Sequence, residues 1–390
     1  MKAPTCVSAS ALAALLSCTQ PAAAVQINDH WSIGGAVRAR FDLDPDRDIR
    51  KAGLDTVIAN VAFDNGDWMG AAQYRWYGRS YPFQYLPFGG LRFVEHAWVG
   101  RHLEGGQEVK VGLTRVPFGL QPLFSSTFYE TLGNVVGLED VSQVGASWQQ
   151  QRDDWTLQAG IFVRPAWPGH GSSNGSTYAI VVTPADPGVA GGSRNQERGL
   201  LALRAAHALH GAAGNEGELG VSFLHSTLHN LDTGLNGQRN VLAAHYQYQH
   251  GPWGTRVLLA RQLMDPRNPD ASQTVTLGGY DGTFNVASRG TLGSADLSYA
   301  VPGEWLGGWV SAVKPYVNYS RYDKSAAGFL PTERFVAGTS FNVKKVYVAL
   351  EMLQGRNDPY LGGSSYTQSL AAGGIDRWKR QLYMNIGYYF

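Results

Sequence analysis

Residues 31–44 read "WSIGGAVRARFDLD". Successive side chains of a strand point to opposite sides, so Trp31, Ile33, Gly35, Val37, Ala39, Phe41 and Leu43 share one face. Ser32, Gly34, Ala36, Arg38, Arg40, Asp42 and Asp44 share the other. An alternation of fourteen residues is long for a soluble sheet, where about five or six is usual. It suits a tilted strand crossing a bilayer, which needs about 9–11 residues plus its ends.

The same period recurs along the chain. Strands are expected near 52–63, 68–79, 91–101, 107–116, 142–150, 154–163, 198–209 and 217–229, then near 239–250, 253–264, 289–300, 313–323, 333–343, 346–356 and 378–390. With the first, that makes sixteen. Their connections alternate in length. Short ones such as "DNGD" (64–67), "EGGQ" (104–107), "QRDD" (151–154), "HGPW" (250–253) and "NVKK" (342–345) separate long ones at 80–90, 117–141, 164–197, 265–288 and 357–377. The two ends of the strand array therefore differ, as in an outer-membrane barrel with short periplasmic turns and long external loops. Trp31, Trp68, Trp155, Trp253, Trp305 and Trp309 gather at the short-turn end, which is where an interfacial aromatic girdle belongs. The expected fold is all-β: a transmembrane antiparallel barrel of about sixteen strands.

Composition agrees. Charged residues are 16% of the chain, below the roughly 25% of soluble domains. The 12% of aromatics and 48 glycines suit packed strands and many turns. The first 24 residues carry Lys2, an apolar run over Ala9–Leu16 and an A-x-A site at Ala22–Ala24, and are expected to be a cleaved signal peptide ahead of one barrel domain, 25–390. Leu15-Leu16-Ser17-Cys18 lacks the small residues that a lipoprotein signal places before its cysteine. Loss of residues 1–24 removes Lys2 and no acid, leaving 31 basic and 31 acidic residues, and removes both cysteines, Cys6 and Cys18. A chain without thiols has no zinc-thiolate site, iron–sulfur cluster or cysteine nucleophile. Zero net charge gives no pull toward nucleic acid.

The stretch "VEHAWVGRHLEGGQEVKVGLTRVPFGLQPL" (94–123) runs strand, glycine turn, strand, then Val-Pro-Phe-Gly. It resembles the Gram-negative outer-membrane porins, and among them the phosphate-selective porin O and P family. The resemblance implies that the third long loop, 117–141, folds into the lumen as a constriction, with Tyr129, Glu130, Asn134, Glu139 and Asp140 able to reach it. It also implies that the last strand, "QLYMNIGYYF" (381–390), ends on the signal read by the outer-membrane assembly machinery, Phe390, and that the chain forms a homotrimer. The implied partners are outer-membrane lipid and small anionic or neutral solutes.

A charge on the lipid face costs about 2–4 kcal/mol at the bilayer midplane, so charged strand positions are expected to report the lumen. That reading puts nine basic groups inside: Arg38, Arg40, Arg75, Arg79, Lys110, Arg204, Lys314, Arg334 and Lys379. It finds four acids, Asp42, Glu108, Asp296 and Glu351. A water-filled channel lined by fixed cations favours anions, phosphate or carboxylates. The seven lysines left after residue 24 are scattered, which departs from the lysine cluster of phosphate-selective relatives. "GSSNG" (171–175) matches a nucleophile elbow but lies in a Gly/Ser-rich loop rather than a strand-to-helix turn. No catalytic set, metal site or cofactor motif is expected. The alternatives to a passive porin are a barrel enzyme of lipase or protease type and a non-conducting structural or adhesion barrel.

Overall fold

A computed structural model describes residues 24–390 except 81, 84, 363 and 364. The expected signal peptide, apart from Ala24, lies outside the described residues. The barrel strands are β1 (Trp31–Asp44), β2 (Ile49–Asp64), β3 (Trp68–Tyr77), β4 (Leu91–Leu103), β5 (Gln107–Arg115), β6 (Ser142–Arg152), β7 (Trp155–Pro165) and β8 (Asn195–His210). They continue as β9 (Glu216–Asn230), β10 (Asn236–His250), β11 (Trp253–Met264), β12 (Arg289–Tyr299), β13 (Val310–Lys324), β14 (Thr332–Val343), β15 (Val346–Arg356) and β16 (Trp378–Tyr389). Each pairs antiparallel with the next, so the sequence's sixteen strands are the sixteen of the barrel.

The sheet closes because β16 pairs with β1, from Ala36 opposite Tyr389 to Leu43 opposite Leu382. Phe390 extends that ladder: its N–H donates to the Gly35 carbonyl at 3.0 Å, and the Gly35 N–H donates to its carbonyl at 2.7 Å. A two-residue strand, Val25–Gln26, continues the line beside Ile33 and Ser32. Closure leaves no edge with unpaired backbone groups, which is the condition for strands to stand in lipid.

Outward positions carry the apolar belt: Val99, Val111, Ile161, Leu203, Val221, Leu242 and Leu259 are all exposed. Trp31, Trp68, Trp155, Trp253, Trp305 and Trp309 are exposed beside the short turns. Two are braced by neighbouring rings, Trp31 by Phe63 at 4.8 Å and Trp253 by Tyr299 at 4.7 Å.

Inside, the barrel is half filled. The segment following β5 runs across the interior, with one helical turn, α1 (Leu132–Val135). Its Phe118, Leu120, Phe124, Leu132, Val136 and Leu138 pack on inward apolar residues of β8–β12, among them Leu200, Leu224, Leu258 and Leu292. A second layer joins them. Val181–Val182, Thr274–Gly279 and Gly282–Ala287 form a three-stranded sheet built from the connections after β7 and β11. The alternation predicts only a long connection at 265–288. Both faces of its hairpin are buried, so no apolar–polar alternation marks it. Burying one leucine-sized side chain contributes about 1.5–3 kcal/mol, so this core anchors the inner layers firmly.

Wall side chains satisfy the backbone of the inner segment, as buried peptide groups require. Glu351 accepts the N–H groups of Phe128 (2.6 Å) and Tyr129 (3.1 Å) and the Tyr316 hydroxyl (2.7 Å). Asp296 accepts Ser126 N–H at 3.0 Å, and Ser320 accepts Leu132 N–H at 3.2 Å. Arg239 donates to the Gly137 carbonyl at 2.8 Å.

Candidate functional site

The space that the inner layers leave open lies against β1–β3 and β14–β16. It is a cavity of about 970 Å3. Its lining reaches from Ser32, Gly34 and Ala62 near the short-turn end to Tyr85, Asp281 and Tyr366 in the long connections. Six guanidiniums face it, from Arg38, Arg40, Arg47, Arg75, Arg115 and Arg334, with four carboxylates, from Asp55, Glu130, Asp140 and Asp281. Ten tyrosines complete much of the surface.

Local geometry fixes each arginine. Arg38 lies 3.5 Å from Asp55 and donates to Thr56 at 2.7 Å. Arg40 grips Asp42 at 2.7 Å and lies over the Tyr383 ring at 4.8 Å. Arg334 is fully buried and forks onto Asp358 at 2.7 and 3.1 Å, with the Tyr129 ring 5.2 Å away. Arg75 differs. It donates to Gln73 and, at 2.6 Å, to the Tyr178 hydroxyl, and its guanidinium lies 4.3 Å from that ring's centre. Among the described residues no carboxylate is within ion-pair distance of it.

The remaining basic positions of the sequence reading stand apart from the cavity. Arg79 is a correction: β3 ends at Tyr77, and Gly78 (φ +131°) and Arg79 (φ +70°) turn the chain out of the sheet, so counting by twos no longer applies. Arg79 is exposed in the connection. Arg204 is buried in the wall, donating to the Gly119 carbonyl at 2.7 Å and pairing with Glu218. Lys110 pairs with Glu108 at 3.1 Å beside Trp98, and Lys379 lies 3.6 Å from Asp46. Lys314 lies on the inward face with Asn318 and Ser320, past an irregularity at Ser311.

Of the inner-segment residues, Tyr129, Glu130, Asn134 and Asp140 line the cavity. Glu139 does not: it is buried within the segment, accepting N–H bonds from Phe124 at 2.6 Å and Thr131 at 3.1 Å. The side chain of Glu130 opens to the cavity. Its depth in the barrel and the nearby carboxylates of Asp140 and Glu139 push its carboxyl well above the ordinary range.

Sequence reasoning missed Arg47, Arg115 and Asp55. Arg47 sits in the tight turn after β1, held by Asp44 at 2.6 Å and by the Tyr360 carbonyl at 3.2 Å. Arg115, bonded to Asp140 at 2.6 Å, follows Gly112, whose φ of +131° disturbs the alternation of β5. Asp55 is the extra residue of a bulge, where Arg38 pairs with Thr56 and Ala39 with Leu54. An Asp in mid-strand is its only signal. No group of three or more His, Cys, Asp or Glu among the described residues could hold a metal.

Comparison with known proteins agrees with this architecture. The barrel is similar to the outer-membrane channel DcaP of Acinetobacter baumannii (TM-score 0.58, 10% identity, 94% of this chain and 99% of that one). It is also similar to an anion-selective porin from Comamonas acidovorans (TM-score 0.55, 13% identity, 92% and 99%). A third likeness is to the trimer form of OmpT from Vibrio cholerae (TM-score 0.55, 13% identity, 92% and 99%). At such identities the likeness speaks for the fold. No curated protein matches the chain. The profile of the phosphate-selective porin O and P family matches residues 34–254, more than half the chain. On that match, and with a closed sixteen-strand barrel around a polar cavity, the chain belongs to the phosphate-selective porin O and P family of the bacterial outer membrane.

Proposed function

We propose that the chain is a passive porin whose off-centre cavity passes small hydrophilic solutes with a preference for anions. The observation that carries this reading is Arg75, a cavity guanidinium with no carboxylate within ion-pair distance among the described residues, whereas Arg40, Arg47 and Arg334 are held by Asp42, Asp44 and Asp358. An unpaired positive charge beside a wet path lowers the entry barrier for anions and raises it for cations. The inner segment 117–141 acts as the constriction, presenting Tyr129, Glu130, Asn134 and Asp140 to solute, while Arg38, Arg40, Arg75 and Arg334 form the opposite wall. Arg204, Lys110, Lys314 and Lys379 then serve the wall rather than the path.

The lining holds arginine and tyrosine and, among the described residues, no lysine. Planar guanidiniums and aromatic faces suit planar carboxylates at least as well as phosphate. A homotrimer is proposed because OmpT of Vibrio cholerae, whose barrel is similar, has a trimer form. Phe390 is proposed as the assembly signal, and no catalytic activity is expected. A second reading, unselective diffusion across a transverse field, draws on Glu130 and Asp140 facing the arginines.

Planar-bilayer recording in a tenfold salt gradient tests these readings. A reversal potential of anion-selective sign supports the first and one near zero the second. Cation selectivity, or no conductance at all, overturns both.

A further inference from the structure

Charged strand positions do not all face inward. On the outer surface of β11 and β12, Val257, Leu259 and Leu263 face lipid beside Ala295 and Leu297. Near the long-loop end two exposed arginines interrupt this surface. Arg261 pairs with Thr291, and Arg289 pairs with Leu263. They are diagonal neighbours on one face, about 7–8 Å apart at the backbone. Arg261 donates to the Thr291 hydroxyl at 2.8 Å, and no described carboxylate pairs with either guanidinium. The loop carboxylate Asp265 is held by Arg267 at 3.0 Å.

Immediately beyond them, toward the loops, a polar pocket of about 470 Å3 has Asn268, Ser272, Gln273 and Arg289 in its wall. Below them, Gly293 lies opposite Leu259 and Arg321, and a Cβ there would meet nothing within 4 Å. The surface therefore offers three zones in order along the membrane normal: hydrogen-bonding pocket, paired cations, apolar strand face with a shallow gap. Two like charges side by side repel unless an anion lies between them, and arginine forks match phosphate oxygens. Charge at the headgroup level costs only about 0–1 kcal/mol, unlike charge at the midplane.

We propose that this outer face of β11–β12 binds a phosphorylated glycolipid of the outer leaflet. Arg261 and Arg289 take a phosphate, the polar pocket takes sugar hydroxyls, and an acyl chain lies along Leu259 and Val257 over Gly293. The site is separate from the permeation path and does not depend on its selectivity.

The test is native mass spectrometry of the full mature protein in detergent, titrated with bisphosphorylated hexa-acyl lipid A, with dephosphorylated lipid A and with phosphatidylethanolamine. Bisphosphorylated lipid A is expected to bind best. The double variant Arg261→Ser/Arg289→Ser should lose about tenfold in that binding, the scale of two solvent-facing ionic contacts. The Lys/Lys double variant should keep most of it. Arg198→Ser, an exposed arginine of β8, should change nothing. Single-channel conductance, measured on every variant, reports folding and should stay at the wild-type value. Equal binding by the Ser/Ser variant, equal binding of the dephosphorylated lipid, or full displacement of lipid A by equimolar inorganic phosphate would each overturn the proposal.

Discussion

Replacing Arg75 by Gln removes one positive charge from the cavity while keeping a hydrogen-bond donor near Tyr178. Two charges 8 Å apart interact by about 2 kcal/mol at an effective dielectric of 20 and by about 0.5 kcal/mol in bulk water. A wet cavity bounded by protein lies between, near 1 kcal/mol. Salt at 0.1 M, with a Debye length of about 10 Å, halves that to roughly 0.5 kcal/mol. The term acts with opposite sign on anions and cations, so the permeability ratio shifts by about 1 kcal/mol, or about fivefold. The assay is the reversal potential across a planar bilayer in a KCl gradient, for wild type, Arg75→Gln and Arg75→Lys. Arg75→Gln should move the potential toward zero, and Arg75→Lys should leave it near wild type. If Arg75→Gln matches wild type within a few millivolts, the guanidinium does not face the permeating ion and the proposed path is wrong.

Glu351→Ala strips the acceptor from Phe128 N–H, Tyr129 N–H and the Tyr316 hydroxyl. It should cost about 2–4 kcal/mol of stability and free one end of the inner segment; a larger, noisier single-channel current and a lower unfolding temperature are expected, and unchanged values for both would contradict the anchoring role. Gly133→Ala places a Cβ 2.6 Å from the Phe124 ring, which should lower stability by about 1–3 kcal/mol in a thermal melt of the detergent-solubilised protein. Glu130 holds its proton to higher pH than an ordinary carboxyl. Its contribution to stability is present below the unfolded-state value and fades as pH rises through the elevated one. Over the same rise it adds negative charge to the cavity, so anion preference should weaken with pH in wild type and stay flat in Glu130→Gln; a matching pH profile in both would remove Glu130 from the path. Deleting Phe390 should lower the amount of folded barrel in the outer membrane, read by heat-modifiable gel mobility, and an undiminished yield would count against its role in assembly.

The strands were legible because lipid imposes one rule on every outward residue. Leu203, Leu259 and Leu382 had to alternate with something less apolar, and the period of two follows. The interior obeys no such rule. Leu200, Leu258 and Leu292 point inward and are as apolar as their lipid-facing neighbours, because loops rather than water cover them. Their strands still alternate in direction, but composition no longer tells inside from outside. The buried hairpin at 274–287 escaped for the same reason. Charge was a partial guide. Arg38, Arg40, Arg75 and Arg334 do face the cavity. Arg204 points inward, yet Gly119 and Glu218 occupy it. Arg261 and Arg289 point outward, where the strand end has left the hydrocarbon. Bulges and positive-φ glycines shift the parity of a strand by one, which is why Asp55, Arg115 and Arg79 could not be placed by counting.

The half-filled interior divides the molecule into two surfaces built in different ways. A solute in transit meets a sheet wall on one side, rigid and fixed in register by its neighbours. On the other it meets a folded-in loop whose backbone is pinned by wall side chains at Ser126, Phe128, Tyr129, Leu132 and Gly137. Substitutions at the cavity-facing side chains of that loop could therefore retune which molecules pass without disturbing the cylinder, whereas changes in the packed half would reach the traffic only by shifting the loop it anchors.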